Sequence, residues 1–196
     1  LTAKESKTSG KLVIISGPSG VGKSTICAQA VEKLEAFLSV SSTSRPQSDS
    51  EEYGREYTFL TRDEFKTKIR EGAFLEYAEV FGNYYGTPRT PVDEALAAGR
   101  IVILEIDIQG ALQVKKQRPE AKTIFILPPR KKDLLDRIEG RARGEDEATK
   151  KRRLETAGRE IAMAWQHYDH LVVNDDLDQA VQEVIDIIQE KIKEQI

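Results

Sequence analysis

The sequence has one cysteine, Cys27, and two histidines, His167 and His170. A single cysteine excludes an intramolecular disulfide framework and any zinc site built from several cysteines. Two histidines leave little for a histidine-rich metal centre. No apolar run approaches the roughly 18–20 residues that span a bilayer. The first ten residues are mostly Thr, Lys, Glu and Ser, without the apolar stretch of a signal peptide, and read as a flexible tail. Positive charge is not in excess: 30 Lys and Arg face 33 Asp and Glu, a formal net charge of −3. Proteins that coat nucleic acid carry strongly basic surfaces, so that class is set aside, and so is a membrane partner. A local basic site for a small anion is still allowed. These absences predict a soluble protein of a reducing, cytoplasmic compartment.

What is present is core material. With 39% hydrophobic residues in 196, the chain is expected to form one domain. The run Leu12-Val13-Ile14-Ile15 predicts a short buried strand, ending in the turn chemistry of Gly17-Pro18-Ser19-Gly20. Beyond Lys23, apolar residues at 26, 30, 31 and 34 keep helical spacing. Residues 41–52 are polar and aperiodic. Tyr57–Leu60 reads as a strand, and Thr61 with Glu64 as a capping box opening a helix to about Glu71. Tyrosines and glycines up to residue 87 suggest a small separate sheet. An α/β rhythm then returns. A helix is expected over 90–98, strands at 101–104, 123–127 and 171–173, helices from about Gln109 and Arg130, and a long helix ending near His167. Residues 140–153, basic and poor in apolar residues, read as a mobile loop or lid. The last helix, 177–192, carries an apolar stripe at Ala180, Val181, Val184, Ile185 and Ile188. Alternating strands and helices predict a mainly parallel sheet covered on both faces.

One motif carries chemistry by itself. Gly17-Pro18-Ser19-Gly20-Val21-Gly22-Lys23-Ser24 fits G-x-x-x-x-G-K-[ST], the phosphate-binding loop. Glycines let backbone N–H groups converge on phosphate oxygens, and the next helix turns its positive end to the same anion. Lys23 bridges the terminal phosphates and Ser24 offers a hydroxyl to Mg²⁺. Gly17, Ser19, Gly20, Val21, Gly22, Lys23, Ser24 and Thr25 are therefore the expected ATP contacts. The loop does not name the acceptor.

Five further segments, in order, resemble guanylate kinase: Val40–Arg45, Gly54–Phe59, Gly82–Thr87, Glu105–Gly110 and Val173–Asp176. The likeness spans about residues 11–195. It implies an α/β P-loop NTPase core with a five-stranded, mainly parallel sheet from residues 11–38, 88–136 and 154–196. It also implies a GMP-binding subdomain with a small mixed sheet at 39–87 and a helical lid at 137–153. The implied reaction is ATP + GMP → ADP + GDP, with dGMP also accepted, a step of purine metabolism and salvage. Both a monomer and a homodimer stay open.

The residue types suit that reaction. Guanine presents N1–H and N2–H₂ side by side, and an ionised carboxylate accepts both. Adenine lacks that donor pair and leaves a buried carboxylate unpaired. Glu76 falls at the family's guanine-reading position, with Ser41 and Thr87 at its hydroxyl contacts. Arg45, Tyr57 and Tyr85 match the positions that hold the GMP phosphate. The planar fork of arginine bonds two phosphate oxygens at once. Arg137, Arg141 and Arg153 match lid arginines, with Arg152 an alternative register for the last. Glu105 matches the acidic position near the acceptor. Asp107 is open to two roles, orienting water on Mg²⁺ or holding Arg45. Asn174 matches a region contacting adenine, with helix capping as the other possibility. Cys27 reads as core packing.

One position departs from the family. A second Arg or Lys normally follows the first by three residues, and here that residue is Ser48. Losing a charge-assisted bond of about 1.5–3 kcal/mol weakens GMP roughly tenfold to a hundredfold, unless Arg55 or Arg89 substitutes. Two other readings stand beside the kinase: a non-catalytic guanylate-kinase-like interaction module, and a P-loop kinase of another phosphorylated acceptor.

Overall fold

The structure is a computed structural model, and it describes residues 10–49, 51–80, 82–130 and 147–191. The apolar run at 12–15 lies at its centre, in strand β1 (Lys11–Ser16), buried at every residue after Lys11. β1 pairs in parallel with β7 (Ile101–Glu105) and β8 (Lys122–Leu127). The edges are β2 (Phe37–Leu38) and β9 (His170–Val173), giving the order β2-β7-β1-β8-β9, parallel throughout. Such a sheet needs cover on both faces, and successive side chains of β1 point to opposite sides. Val13 and Ile15 pack with helix α1 (Lys23–Leu34) and the last helix, α6 (Leu177–Ile188). Leu12 and Ile14 pack with α3 (Arg89–Ala97) and α4 (Ile108–Gln117). The expected stripe on α6 is buried in full, together with Ile187, although the helix ends at Ile188 and not at 192.

A second sheet joins β3 (Ser42–Thr43), β4 (Thr58–Phe59), β5 (Phe74–Val80) and β6 (Asn83–Pro88) in the order β4-β3-β6-β5. β3 and β4 run parallel and the other pairs antiparallel. Helix α2 (Arg62–Arg70) carries the anticipated capping box of Thr61 and Glu64. Its Phe65 stacks on Phe74 and Tyr84, with ring centroids 4.4 and 5.4 Å away.

Two expectations need correction, and one strand carried no expectation. The strand read at 57–60 shrinks to two residues. Phe37–Leu38 is an edge strand that two residues were too few to signal. The loop read at 140–153 is helical from Glu147, where α5 (Glu147–His167) begins. Its Lys and Arg are good helix formers but carry no apolar period there. The helix expected from about Arg130 lies outside the described residues.

The two sheets are fastened by a seam. β5 is an edge strand, and its outward backbone groups need partners. α4 supplies them: Gln113 Nε2 donates to Tyr77 O (2.8 Å), and Gln117 Nε2 donates to Leu75 O (2.8 Å). Tyr77 N–H returns a longer bond to Gln113 Oε1 (3.4 Å). Leu75 itself enters the core beneath α3 and α4. Replacing Gln113 and Gln117 together by Ala removes two short bonds, each worth roughly 0.5–1.5 kcal/mol. Stability is expected to fall by about 1–3 kcal/mol in urea unfolding, with faster hydrogen exchange at the Tyr77 amide. Unchanged exchange there would rule out the seam as that amide's protection.

Candidate active site

The carboxyl ends of the parallel strands face the second sheet across a cleft of about 1180 Å³. A site for one small molecule usually measures roughly 300–1,000 Å³, so this one has room for two. Gly17, Ser19, Lys23 and Ser24 line one side, and Ser41, Tyr57, Glu76 and Tyr85 the other. Glu105 and Asp107 form the floor after β7, and Glu155, Thr156, Arg159 and Glu160 of α5 contribute a third wall.

The glycine loop runs from β1 into α1. Gly22 is the N-cap of α1 in a left-handed conformation (φ 101°), with no side-chain cap on the helix. The first N–H groups of α1 therefore face the cleft as anion donors. Lys23 Nζ donates to Gly17 O (2.6 Å) and Pro18 O (3.1 Å), folding the amine over the loop. Ser24 Oγ donates to Glu105 Oε1 (2.7 Å). Asn174, buried behind the loop, donates from Nδ2 to Val21 O (2.7 Å). A Cβ on Gly22 would stand 2.5 Å from that same Nδ2. Asn174 thus braces the loop from behind, and the capping role suggested for it belongs to Asp176, which accepts from Gln179 N.

On the opposite side Glu76 is 5% exposed. The register of β5 against β6 shifts between Phe74 and Glu76, and bulges of this kind re-aim side chains. Thr87 Oγ1 donates to Glu76 Oε1 at 2.6 Å. Burial pushes the Glu76 carboxyl up to about 7; the Thr87 bonds oppose the rise and the charge of Asp107 reinforces it. Asp107 is the N-cap of α4, its Oδ1 accepting from Gly110 N at 2.9 Å.

Tyr57 and Tyr85 meet edge to face at 5.8 Å, and Arg45 lies over the rings of Tyr57 (5.6 Å) and Phe59 (5.8 Å). Arg45 is held by Glu51, not by Asp107: Nη2 reaches Oε1 at 2.6 Å and Nη1 reaches Oε2 at 3.0 Å. Ser48 completes that cluster, donating from N (2.9 Å) and Oγ (2.7 Å) to Glu51 Oε2. The Arg45 contact and the Ser48 bonds hold the Glu51 carboxyl down at about 2. Of the two substitutes considered for a second cation, Arg89 is turned away, donating to Phe74 O and Gln117 Oε1. Arg55 lines the cleft but pairs with Glu56 and Glu52.

Two groups were missed in the sequence. Glu51 holds Arg45 across an aperiodic loop, where spacing carries no signal. Glu160 lines the cleft from α5, and burial pushes it up to about 7; the charge of Lys23 opposes the rise and that of Asp107 adds to it. Cys27 is fully buried in the core, and burial raises its thiol far above the usual range. Arg137 and Arg141 lie outside the described residues, and so does the side chain of Arg153.

Loops like Gly17–Ser24 grip the phosphates of a nucleoside triphosphate. A second polar wall across so large a cleft calls for a second substrate, which defines a P-loop kinase of a small acceptor. A sequence profile of the family described as guanylate kinase matches residues 9–191. A guanylate kinase of Clostridium acetobutylicum is 49% identical over 179 residues, covering 91% of this chain and 85% of that protein. One from Synechocystis sp. is 45% identical over 188 residues, covering 95% and 97%. The crystal structure of guanylate kinase from Anaplasma phagocytophilum is similar with a TM-score of 0.77 at 30% identity, covering 94% of this chain and 87% of that one. The chain belongs to the guanylate kinase family.

Glu76 gives this site a pH signature. Between about pH 4.5 and 7 the folded protein keeps the Glu76 proton that the unfolded chain has lost, so stability falls as pH rises through that window. Relative to Glu76→Gln, the wild type is expected to lose on the order of 3 kcal/mol across it, read from urea unfolding at each pH. A flat difference curve would show that the carboxyl is not held neutral.

Proposed function

We propose that the protein transfers the terminal phosphoryl group of ATP to GMP, and to dGMP, giving ADP and the nucleoside diphosphate. The observation that carries this reading is the buried, Thr87-bonded Glu76 facing the phosphate loop across one cleft. Guanine's adjacent N1–H and N2–H₂ donate to its ionised carboxylate, with Ser41 and Thr87 as neighbouring hydroxyls. Arg45, Tyr57 and Tyr85 hold the GMP phosphate, the arginine already set between two rings and Glu51. ATP lies with its phosphates on the loop from Gly17 to Thr25, under Lys23.

The acceptor phosphate is itself the nucleophile. Its second pKa is about 6, so at neutral pH it needs no general base. One of its oxygens attacks the γ-phosphorus, and the bond from that phosphorus to the bridging oxygen breaks. ADP leaves with that electron pair. Lys23 and the arginines Arg137, Arg141 and Arg153 neutralise the charge on the transferred group and exclude water. Mg²⁺ fits the oxygen set at Ser24 and Glu105, hard donors 2.7 Å apart at the mouth of the loop. Bound there with ATP, the ion supplies charge neutralisation on the phosphates. Asp107, the α4 cap, faces the same floor and is suited to hold its water. No helix among the described residues is long and apolar enough to cross a membrane. We place the reaction in the cytoplasm on the ground of its nucleotide substrates.

ADP release measured with GMP, dGMP, AMP, UMP and no acceptor tests the assignment. Dependence on GMP and dGMP is expected. Activity with AMP but not GMP would overturn it, and acceptor-independent background alone would favour the interaction module. Ser48→Arg restores a second cation and is expected to lower the KM for GMP about tenfold or more; an unchanged KM would show that no phosphate contact is missing at that position. Arg141→Ala should reduce turnover far more than it alters GMP binding, and equal effects on both would sink its lid role.

A further inference from the structure

The N-terminal turn of α4 contains a glycine with no backbone reason to be one. Gly110 is not among the glycines with positive φ, and a helix favours alanine over glycine. Its surroundings supply the reason. A Cβ on Gly110 would lie 2.5 Å from Glu76 Oε2, 2.9 Å from its Cδ and 3.4 Å from its Cγ. Real Cβ contacts do not come that close, so one of the two groups would have to move.

The helix is the less free of the two. Gly110, Gln113 and Gln117 stand at i, i+3 and i+7 and share one face, and both glutamines are bonded to the backbone of β5. Gly110 N–H is also fixed by Asp107. Glu76 is buried and has Oε1 tied to Thr87, so a methyl at 110 displaces the Oε2 end of the carboxylate. We infer that Gly110 is a specificity-determining residue of this kinase, its bare Cα setting where Glu76 presents its second oxygen to the guanine base. This rests on the reading of Glu76 as the guanine contact. It assigns Gly110 no contact with the reacting phosphates.

Gly110→Ala separates this role from packing by the split between KM and turnover, because displacing a buried, bonded carboxylate offsets the helix gain of alanine under either reading. The KM for GMP is expected to rise about tenfold to a hundredfold, as for loss of a bond to a charged group. Turnover at saturating GMP should change little, and the affinity for AMP, read by its inhibition of GMP phosphorylation, should hold, so the preference for GMP over AMP should shrink. Glu76→Gln is run beside it. If Glu76→Gln raises the KM and Gly110→Ala does not, the inference fails and the guanine reading stands. If Glu76→Gln leaves the KM for GMP unchanged, the guanine reading fails and takes the inference with it. A lowered midpoint in Gly110→Ala with KM for GMP and turnover both unchanged would make the glycine a packing residue and overturn its assignment as a specificity determinant.

Discussion

The face of α4 along the edge of β5 is the contact on which the rest of the molecule depends. The second sheet has two strands of only two residues, and sheets that small are marginal alone. It borrows stability from the core through Leu75 and through side chains of α4 that complete the backbone bonding of β5. Because α4 follows β7 directly, this seam also fixes the second sheet relative to the carboxyl edge of the parallel sheet. The cleft between the two nucleotide-facing walls is therefore set by a helix that belongs to one wall and is bonded to the other. Glu76 lies in β5 between the two residues whose carbonyls the glutamines hold, Leu75 and Tyr77.

The same residue type is driven in opposite directions within this frame. Glu51 sits beside Arg45 and the donors of Ser48, and its carboxyl is held near 2. Glu76 and Glu160 are removed from water, and both are pushed up to about 7. Burial dominates the second pair; charge-assisted bonding dominates the first. On the proposed reading of Glu76, a guanine base brings two donors to a carboxylate whose ionised form burial disfavours, so base binding and ionisation favour each other. Adenine brings no such donors and leaves the cost of ionisation uncompensated.

Much of this was legible in the sequence because it rests on local pattern. Four-residue apolar runs gave the buried strands, the stripe from Ala180 to Ile188 gave α6, and Thr61 with Glu64 gave the start of α2. The glycine loop was read from its own spacing, and Glu76 from a match to known motifs. What was not legible depends on pairing across the chain. Phe37–Leu38 is a strand only because β7 offers it an edge. Asn174 acts on Val21, 153 residues earlier. Asp107, expected to orient water on Mg²⁺ or to hold Arg45, caps α4, because the backbone N–H of Gly110 comes within its reach only once the helix has formed. Gly110 explains itself only when the residue opposite it is known.

Ser48 shows how far a missing charge can be interpreted from sequence alone. Read as a substitution, it removes a cation from the phosphate clamp. In the structure it donates twice to Glu51, and that carboxylate grips Arg45 end-on through Nη1 and Nη2. Nη1 also reaches Pro46 O at 2.8 Å. A guanidinium has five N–H donors, and beyond these three bonds Arg45 has the Tyr85 hydroxyl as a further side-chain partner. Glu51 therefore shares Arg45 with Tyr85. It occupies the end of the fork, and with Ser48 behind it fixes the orientation in which the other edge is presented. The cluster gives up net positive charge and gains a pre-oriented arginine; because the Ser48 N–H bond to Glu51 is a backbone bond that Ser48→Arg keeps, the restored charge outweighs the one hydroxyl bond lost.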